Sequence, residues 1–180
     1  MRKITALLLL VLTFTLSCER DDICSGETPT TPRLIISFLD LTTISLENPK
    51  NVNGFRVETV DDLRVLDVYN GTAAADSVIL PLKTTDSITQ YRMYKDYAIS
   101  NNGTPNDPSD DFITGNPDVI TIEYATEDVY VSKACGYKSI FKNITITVED
   151  DGDNWIEVIQ SVNDNQTIEN EDTPHFNIFH

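Results

Sequence analysis

From residue 34 onward the chain alternates short apolar runs with polar turns, a pattern typical of β-strands. Ile144, Ile146 and Val148 alternate with Thr145 and Thr147, so the three aliphatic side chains share one face of an extended segment. Other runs are rich in β-branched and aromatic residues, which favour strands. The predicted strands are Leu34–Leu39, Phe55–Thr59, Leu63–Tyr69, Ser77–Leu82, Thr89–Ile99, Val119–Tyr124 continued by Val129–Ser132, Ile144–Val148, Trp155–Val162 and His175–Phe179.

The segments between these runs predict turns and loops. Asn101–Asn116 and Asn163–Thr173 are polar and have no apolar period, so we expect surface loops there. Asp151-Gly152 predicts a hairpin turn into the strand that begins at Trp155. Helical periodicity is almost absent after residue 33; it could occur over Ser132–Lys142, which contains a glycine.

These elements predict an all-β fold over residues 34–180. Seven to nine short strands joined by polar turns favour a single antiparallel β-sandwich domain of the Ig-like or Greek-key type. A β-barrel is the alternative.

The first residues read as a signal for export. Met1-Arg2-Lys3 is basic and precedes an apolar run, Ile4–Leu16, which as a helix would cover only about 20 Å. That run is too short to span a bilayer, so we predict that residues 1–17 are a signal peptide.

Cys18 stands directly after this run and resembles the acylated cysteine of bacterial lipoproteins, although Thr15 and Leu16 depart from the usual motif. We predict lipidation at Cys18, an anchor of several acyl chains and a Thr/Pro-rich tether over residues 18–33. The alternative is an ordinary secretory signal followed by a structural cysteine.

The composition limits the partners. The chain has 13 Lys and Arg against 29 Asp and Glu; without Arg2 and Lys3, 11 basic residues face 29 acidic ones, a net charge of −18. Such a surface repels nucleic acid, so we expect none as a partner. With Cys18 on lipid, Cys24 and Cys135 remain as a natural disulfide pair; a free thiol at Cys135 or an intermolecular bond from Cys24 are the alternatives.

Few residues suggest specific chemistry. Asp107, Asp110 and Asp111 are weak candidates for calcium ligands, and we predict no cofactor. Trp155 and Tyr91 are candidate aromatics for stacking on sugar rings, although aromatic residues in strands more often pack in the core. No motif for catalysis is present, so we predict no catalytic residue and no enzyme activity.

Three stretches carry a family resemblance: CERDDIC at 18–24, VILPLKT at 78–84 and YVSKACGYKSIF at 130–141. Together they resemble short lipoproteins of Bacteroidetes classed as a domain of unknown function. The resemblance implies an exported, lipidated domain without assigned activity, and it supports the pair Cys24–Cys135. Ser77 and Ser87 also match the Asp-Ser-aliphatic triplet at which Bacteroidetes O-glycosylate exported proteins.

We therefore expect a lipid-anchored protein of the outer membrane, either on its periplasmic face or on the cell surface. The acidic start Glu19–Asp22 resembles the signal that sends Bacteroidetes lipoproteins to the cell surface. Its partners would be the membrane and an unknown protein or glycan. A non-catalytic binding or structural role leads; the alternatives are a carbohydrate-binding accessory of a glycan uptake system and, less favoured, a hydrolase.

Overall fold

A computed structural model describes Cys24, Thr28 and residues 30–180, so the predicted signal peptide and Cys18 lie outside the described residues. The described residues form nine strands and no α-helix, and none of their helical turns is long or apolar enough to cross a membrane. The strands are β1 (Leu34–Leu39), β2 (Arg56–Thr59), β3 (Val65–Asn70), β4 (Ser77–Leu80), β5 (Ile88–Ser100), β6 (Phe112–Ser132), β7 (Gly136–Val148), β8 (Val158–Ser161) and β9 (Phe176–Phe179).

The strands form two sheets, which confirms the predicted sandwich. The four-stranded sheet has the order β4-β1-β9-β8, and the five-stranded sheet has the order β3-β2-β5-β6-β7. All pairs are antiparallel except β1 with β9, where Ile36 lies opposite Phe176. A parallel pair needs a long connection. Here the connection is nearly the whole domain, because β1 and β9 are the first and last described strands.

The core lies between the sheets and is built from the alternate residues of each strand. Leu34, Ile36 and Phe38 of β1 and Ile120 and Ile122 of β6 are fully buried. Their neighbours in sequence, apart from Leu39 at the end of β1, are at least partly exposed, which is the period-two pattern that the sequence predicts.

The predicted extent of the Asn101–Asn116 loop is wrong. Val119–Tyr124 and Val129–Ser132 belong to one strand, β6, which is 21 residues long and begins at Phe112 inside the predicted loop. The strand stays continuous because β5 and β7 pair with it on either side, and the pairing absorbs the irregularities as register shifts. Ser132–Lys142 is a turn followed by β7, without helix.

The predicted hairpin at Asp151-Gly152 is also wrong. The chain leaves β7 in the five-stranded sheet and enters β8 in the four-stranded sheet, where β8 pairs with β9. This turn is therefore a connection between the two sheets.

The predicted tether is held against the domain at its C-terminal end. Arg33 donates from its Nε to Glu171 at 2.9 Å, and the Thr31 hydroxyl accepts a hydrogen bond at 3.0 Å from the backbone N–H of Ser139 in β7. Pro32 between them is buried. Residues 30–33 are thus part of the folded domain.

Candidate functional site

The aromatics predicted to face a ligand are in the core. Trp155 is 5% exposed and Tyr91 2% exposed. The Trp155 indole N–H donates to the carbonyl of Met93 at 3.1 Å, and the Tyr91 hydroxyl donates to the carbonyl of Pro81. Each polar group is paired inside the protein, and burial raises the pKa of Tyr91. Neither ring is available to stack on a sugar, so this prediction is wrong.

The predicted calcium ligands stabilise turns. Asp107 accepts from the backbone N–H and the hydroxyl of Ser109, and Asp110 accepts from the Thr104 hydroxyl at 2.7 Å. These hydrogen bonds hold the pKa of both carboxyls below the usual range. Over the described part of the chain no three His, Cys, Asp or Glu side chains are grouped as metal ligands.

One shallow cavity of about 330 Å³ contains two carboxylates and a lysine. The Lys83 ammonium bridges Asp61 and Asp86, and its pKa is raised by the hydrogen bond to Asp61. General acid catalysis needs a carboxyl with a raised pKa near the surface. Among the described carboxyl groups with a shifted pKa, Asp118 is the one whose pKa is raised. The cause is its burial inside the protein, so it is not at the surface.

The two histidines are structural. His175 accepts at Nδ1 from the backbone N–H of Ile35 at 3.0 Å and donates from Nε2 to the carbonyl of Asn170 at 3.0 Å. That arrangement requires the neutral ring. His180 packs edge-on against Phe38 and Trp155. Burial lowers the pKa of both imidazoles.

The predicted O-glycosylation sites differ in access. Ser77 lies in β4, is half-buried and donates to Asp76 at 2.9 Å. Ser87 is exposed in the loop before β5.

Two groups of exposed apolar side chains in the five-stranded sheet lie at the two ends of β6. At one end, which we call the distal end, Ile99 pairs with Ile113 across the β5–β6 hairpin, and Phe112, the residue before Ile113, pairs with Ser100. All three side chains are at least half exposed. The loop that joins these strands carries the three carboxylates Asp107, Asp110 and Asp111 and no Lys or Arg.

At the other end, which we call the stapled end, the β6–β7 turn carries a disulfide between Cys24 and Cys135, which are 111 residues apart in sequence. This bond confirms the predicted pair. Just below the turn Tyr130 and Tyr137 lie directly opposite each other, 57% and 69% exposed. Both tyrosines stand within a predicted motif, but their pairing depends on the hairpin register, which the sequence did not predict.

Fold and site together define a β-sandwich with nine described strands, in which Cys24 is crosslinked to Cys135 in the β6–β7 turn at the stapled end. The chain belongs to the DUF6452 family, described as a family of unknown function, whose profile matches residues 59–180. VILPLKT and YVSKACGYKSIF lie inside this range and CERDDIC lies before it. No curated protein and no solved structure matches the chain.

Proposed function

We propose that this protein is a lipid-anchored, non-catalytic domain of the outer membrane that binds a protein partner at its distal end. The observation that supports this most is the Cys24–Cys135 disulfide. Cys24 follows Cys18 by six residues, a reach of at most about 20 Å even when extended. An acyl group on Cys18 would therefore hold the stapled end close to the lipid.

The length of β6 separates the two ends. Phe112 and Tyr130 are 18 residues apart in the same strand, which at 3.3 Å per residue is at most about 60 Å. An anchor at the stapled end leaves the distal end free to project away from the membrane. A partner could then reach Ile99 and Ile113 without contacting lipid.

The distal end fits a partner with an apolar centre and a basic rim. Ile99, Ile113 and Phe112 supply exposed apolar surface, and the adjoining loop supplies only negative charge. Apolar contact provides most of the affinity in such interfaces, while opposite charges at the rim speed association.

The alternatives have less support. The hypothesis of a carbohydrate-binding accessory depended on exposed rings at Trp155 and Tyr91, and both rings are buried. A hydrolase needs two exposed carboxylates with separated pKa values. Asp61 and Asp86 instead share the ammonium of Lys83.

The anchor is tested by metabolic labelling in the native cell. The protein should incorporate labelled fatty acid and fractionate with the outer membrane, and Cys18→Ala should abolish both. The matched control is Cys24→Ala, which removes a cysteine six residues away and should retain the label. Labelling and fractionation of Cys18→Ala like those of the unchanged protein would refute lipidation.

Partner binding is tested with a photo-crosslinking amino acid at position 99 or 113, and at Val68 as an exposed control on β3. One and the same envelope protein should be crosslinked from both distal positions and not from position 68. Ile113→Asp should abolish crosslinking from position 99. Equal crosslinking from all three positions would refute a distal binding surface.

A further inference from the structure

Two tyrosines at the stapled end have no evident role in folding. Tyr130 in β6 and Tyr137 in β7 form a directly opposed cross-strand pair, with ring centroids 5.5 Å apart and planes at 70°. Both rings are more than half exposed. Large aromatic rings in strands usually bury against a core, so an exposed pair at the end of a hairpin indicates a surface that another phase or molecule covers.

The position of the pair limits what can cover it. Tyr137 follows Cys135 by two residues, and Cys135 is bonded to Cys24. If Cys18 carries the lipid, as the proposed function requires, the anchor lies within about 20 Å of Cys24. The tyrosines are then among the described residues nearest to the bilayer, and a large protein partner would have little room beside them.

The chemistry of tyrosine suits the headgroup region. Its ring is apolar and its hydroxyl is polar, and tyrosine is enriched at membrane–water interfaces for this reason. The nearest carboxylates of the hairpin are paired: Asp128 accepts from the Ser139 hydroxyl at 2.8 Å, and Glu127 forms an ion pair with Lys142 at 2.5 Å. The turn itself carries Lys133, which is exposed and favours the phosphate of a lipid headgroup.

We propose that Tyr130 and Tyr137 insert their rings into the headgroup region of the leaflet that carries the anchor. The acyl chains hold the protein to the membrane, and the tyrosine pair is a second contact that fixes its orientation. With one end of β6 at the lipid, the distal end points away from the surface. The lipid anchor alone would leave the orientation of the domain relative to the membrane unfixed.

The test uses the mature chain coupled through the thiol of Cys18 to a maleimide lipid in phosphatidylcholine vesicles with brominated acyl chains. This chemical anchor makes the result independent of acylation in the cell. Tyr137→Trp places a fluorescent reporter in the pair, and Phe112→Trp is the matched control at the other end of β6. Emission is read as the difference from the unchanged protein, whose Trp155 is buried.

The added emission of Tyr137→Trp should fall about twofold or more in brominated vesicles relative to unbrominated ones, and that of Phe112→Trp should not change. Equal emission of Tyr137→Trp in both vesicles would overturn the proposal. A response to soluble dextran in place of lipid would overturn it in favour of a glycan platform. A dimer in solution that Tyr130→Ser dissociates would overturn it in favour of self-association.

The failures of the two proposals are distinguishable. Loss of quenching with normal fatty-acid labelling in the cell would leave the anchor standing and remove the tyrosine contact. Quenching on the chemical anchor without cellular labelling would support a membrane-facing pair and refute natural lipidation.

Discussion

Asp118 accepts a hydrogen bond from the backbone N–H of Ile156 at 2.8 Å. Its other carboxylate oxygen accepts from the N–H of Trp155 at 3.3 Å. Asp118 lies in β6 of the five-stranded sheet and is fully buried, while residues 155 and 156 lead into β8 of the other sheet. One buried carboxylate therefore accepts hydrogen bonds from two backbone N–H groups at the point where the chain crosses between the sheets.

We expect Asp118→Ala to lower the free energy of unfolding by about 3 kcal/mol, because it leaves two buried N–H groups without acceptors. Asp118→Asn should cost less, since its amide oxygen can still accept one of the two hydrogen bonds. Urea denaturation measures both values. Glu157→Gln is the control: this exposed acid beside the crossover should change stability by less than about 0.5 kcal/mol. Equal stabilities of Asp118→Ala and Glu157→Gln would contradict this role.

The disulfide should stabilise the domain and hold the N-terminal segment in place. In a chain with Cys18→Ser, replacing Cys24 and Cys135 by serine should cost up to about 4 kcal/mol, because the bond closes a loop of 111 residues in the unfolded chain. Alkylation of the denatured parent chain should find two thiols after reduction and none before it.

Hydrogen exchange supplies a second measurement on the same variant. The amide of Ser139 donates to the Thr31 hydroxyl, so it should exchange faster once the crosslink no longer holds the segment. Amides in the middle of β6 should keep their protection relative to global unfolding. Unchanged exchange at Ser139 would mean that residues 30–33 are held by their own contacts, such as Arg33 with Glu171.

Gly115 lies so close to the β5 backbone that adding a single methyl group there should lower the free energy of unfolding substantially. Gly115 has φ +110°, and a Cβ there would lie 2.8 Å from the carbonyl oxygen of Lys95. Gly103 has φ +82° but open space around it. We expect Gly115→Ala to cost at least about 2 kcal/mol more than Gly103→Ala in urea denaturation, since both carry backbone strain and only the first adds a clash. Equal costs would mean that the β5 backbone moves away without penalty.

The sequence predicted much of the fold and little of the site. The alternation of Ile144, Ile146 and Val148 depends only on which face is buried, so a sandwich of seven to nine strands could be inferred from such runs, and the structure has nine among its described residues. The start of β6 could not be inferred. Gly115 and Pro117 are turn residues by local preference, yet both lie within β6: Pro117 pairs with Tyr94 of β5, and Gly115 falls at the register shift between Lys95 and Ala98.

Other errors arose from contacts distant in sequence. Asp151-Gly152 carries the turn chemistry of a hairpin, but the sheet that the chain enters next depends on Asp118, more than thirty residues away. A tryptophan such as Trp155 looks the same in the sequence whether its ring packs in the core or faces a ligand. The pairing of Tyr130 with Tyr137 is visible only once the hairpin register is known.

The buried histidines predict a loss of stability in mild acid. Burial lowers the pKa of His175 and His180, so the folded protein holds both rings neutral below the pH at which the unfolded chain, with a pKa of about 6.5, takes up protons. At these two groups the unfolded state then binds more protons, so their contribution to stability falls as the pH decreases. Their contribution is complete above about pH 6.5 and is lost progressively below it. Glu171, whose pKa is lowered by its hydrogen bond to Arg33, acts in the same direction but only near and below its ordinary value of 4.5.

The measurement is the urea midpoint at pH 7.5 and at pH 5.5, a window in which the histidines titrate and Glu171 stays ionised. The midpoint should be lower at pH 5.5. In His175→Asn the side-chain oxygen can still accept the N–H of Ile35, but the group no longer takes up a proton, so the difference between the two midpoints should shrink by about half. The difference in urea midpoint between His175→Asn and the unchanged protein at pH 7.5 gives the stability cost of the substitution itself. A pH dependence of His175→Asn equal to that of the unchanged protein would show that protonation of His175 does not oppose folding.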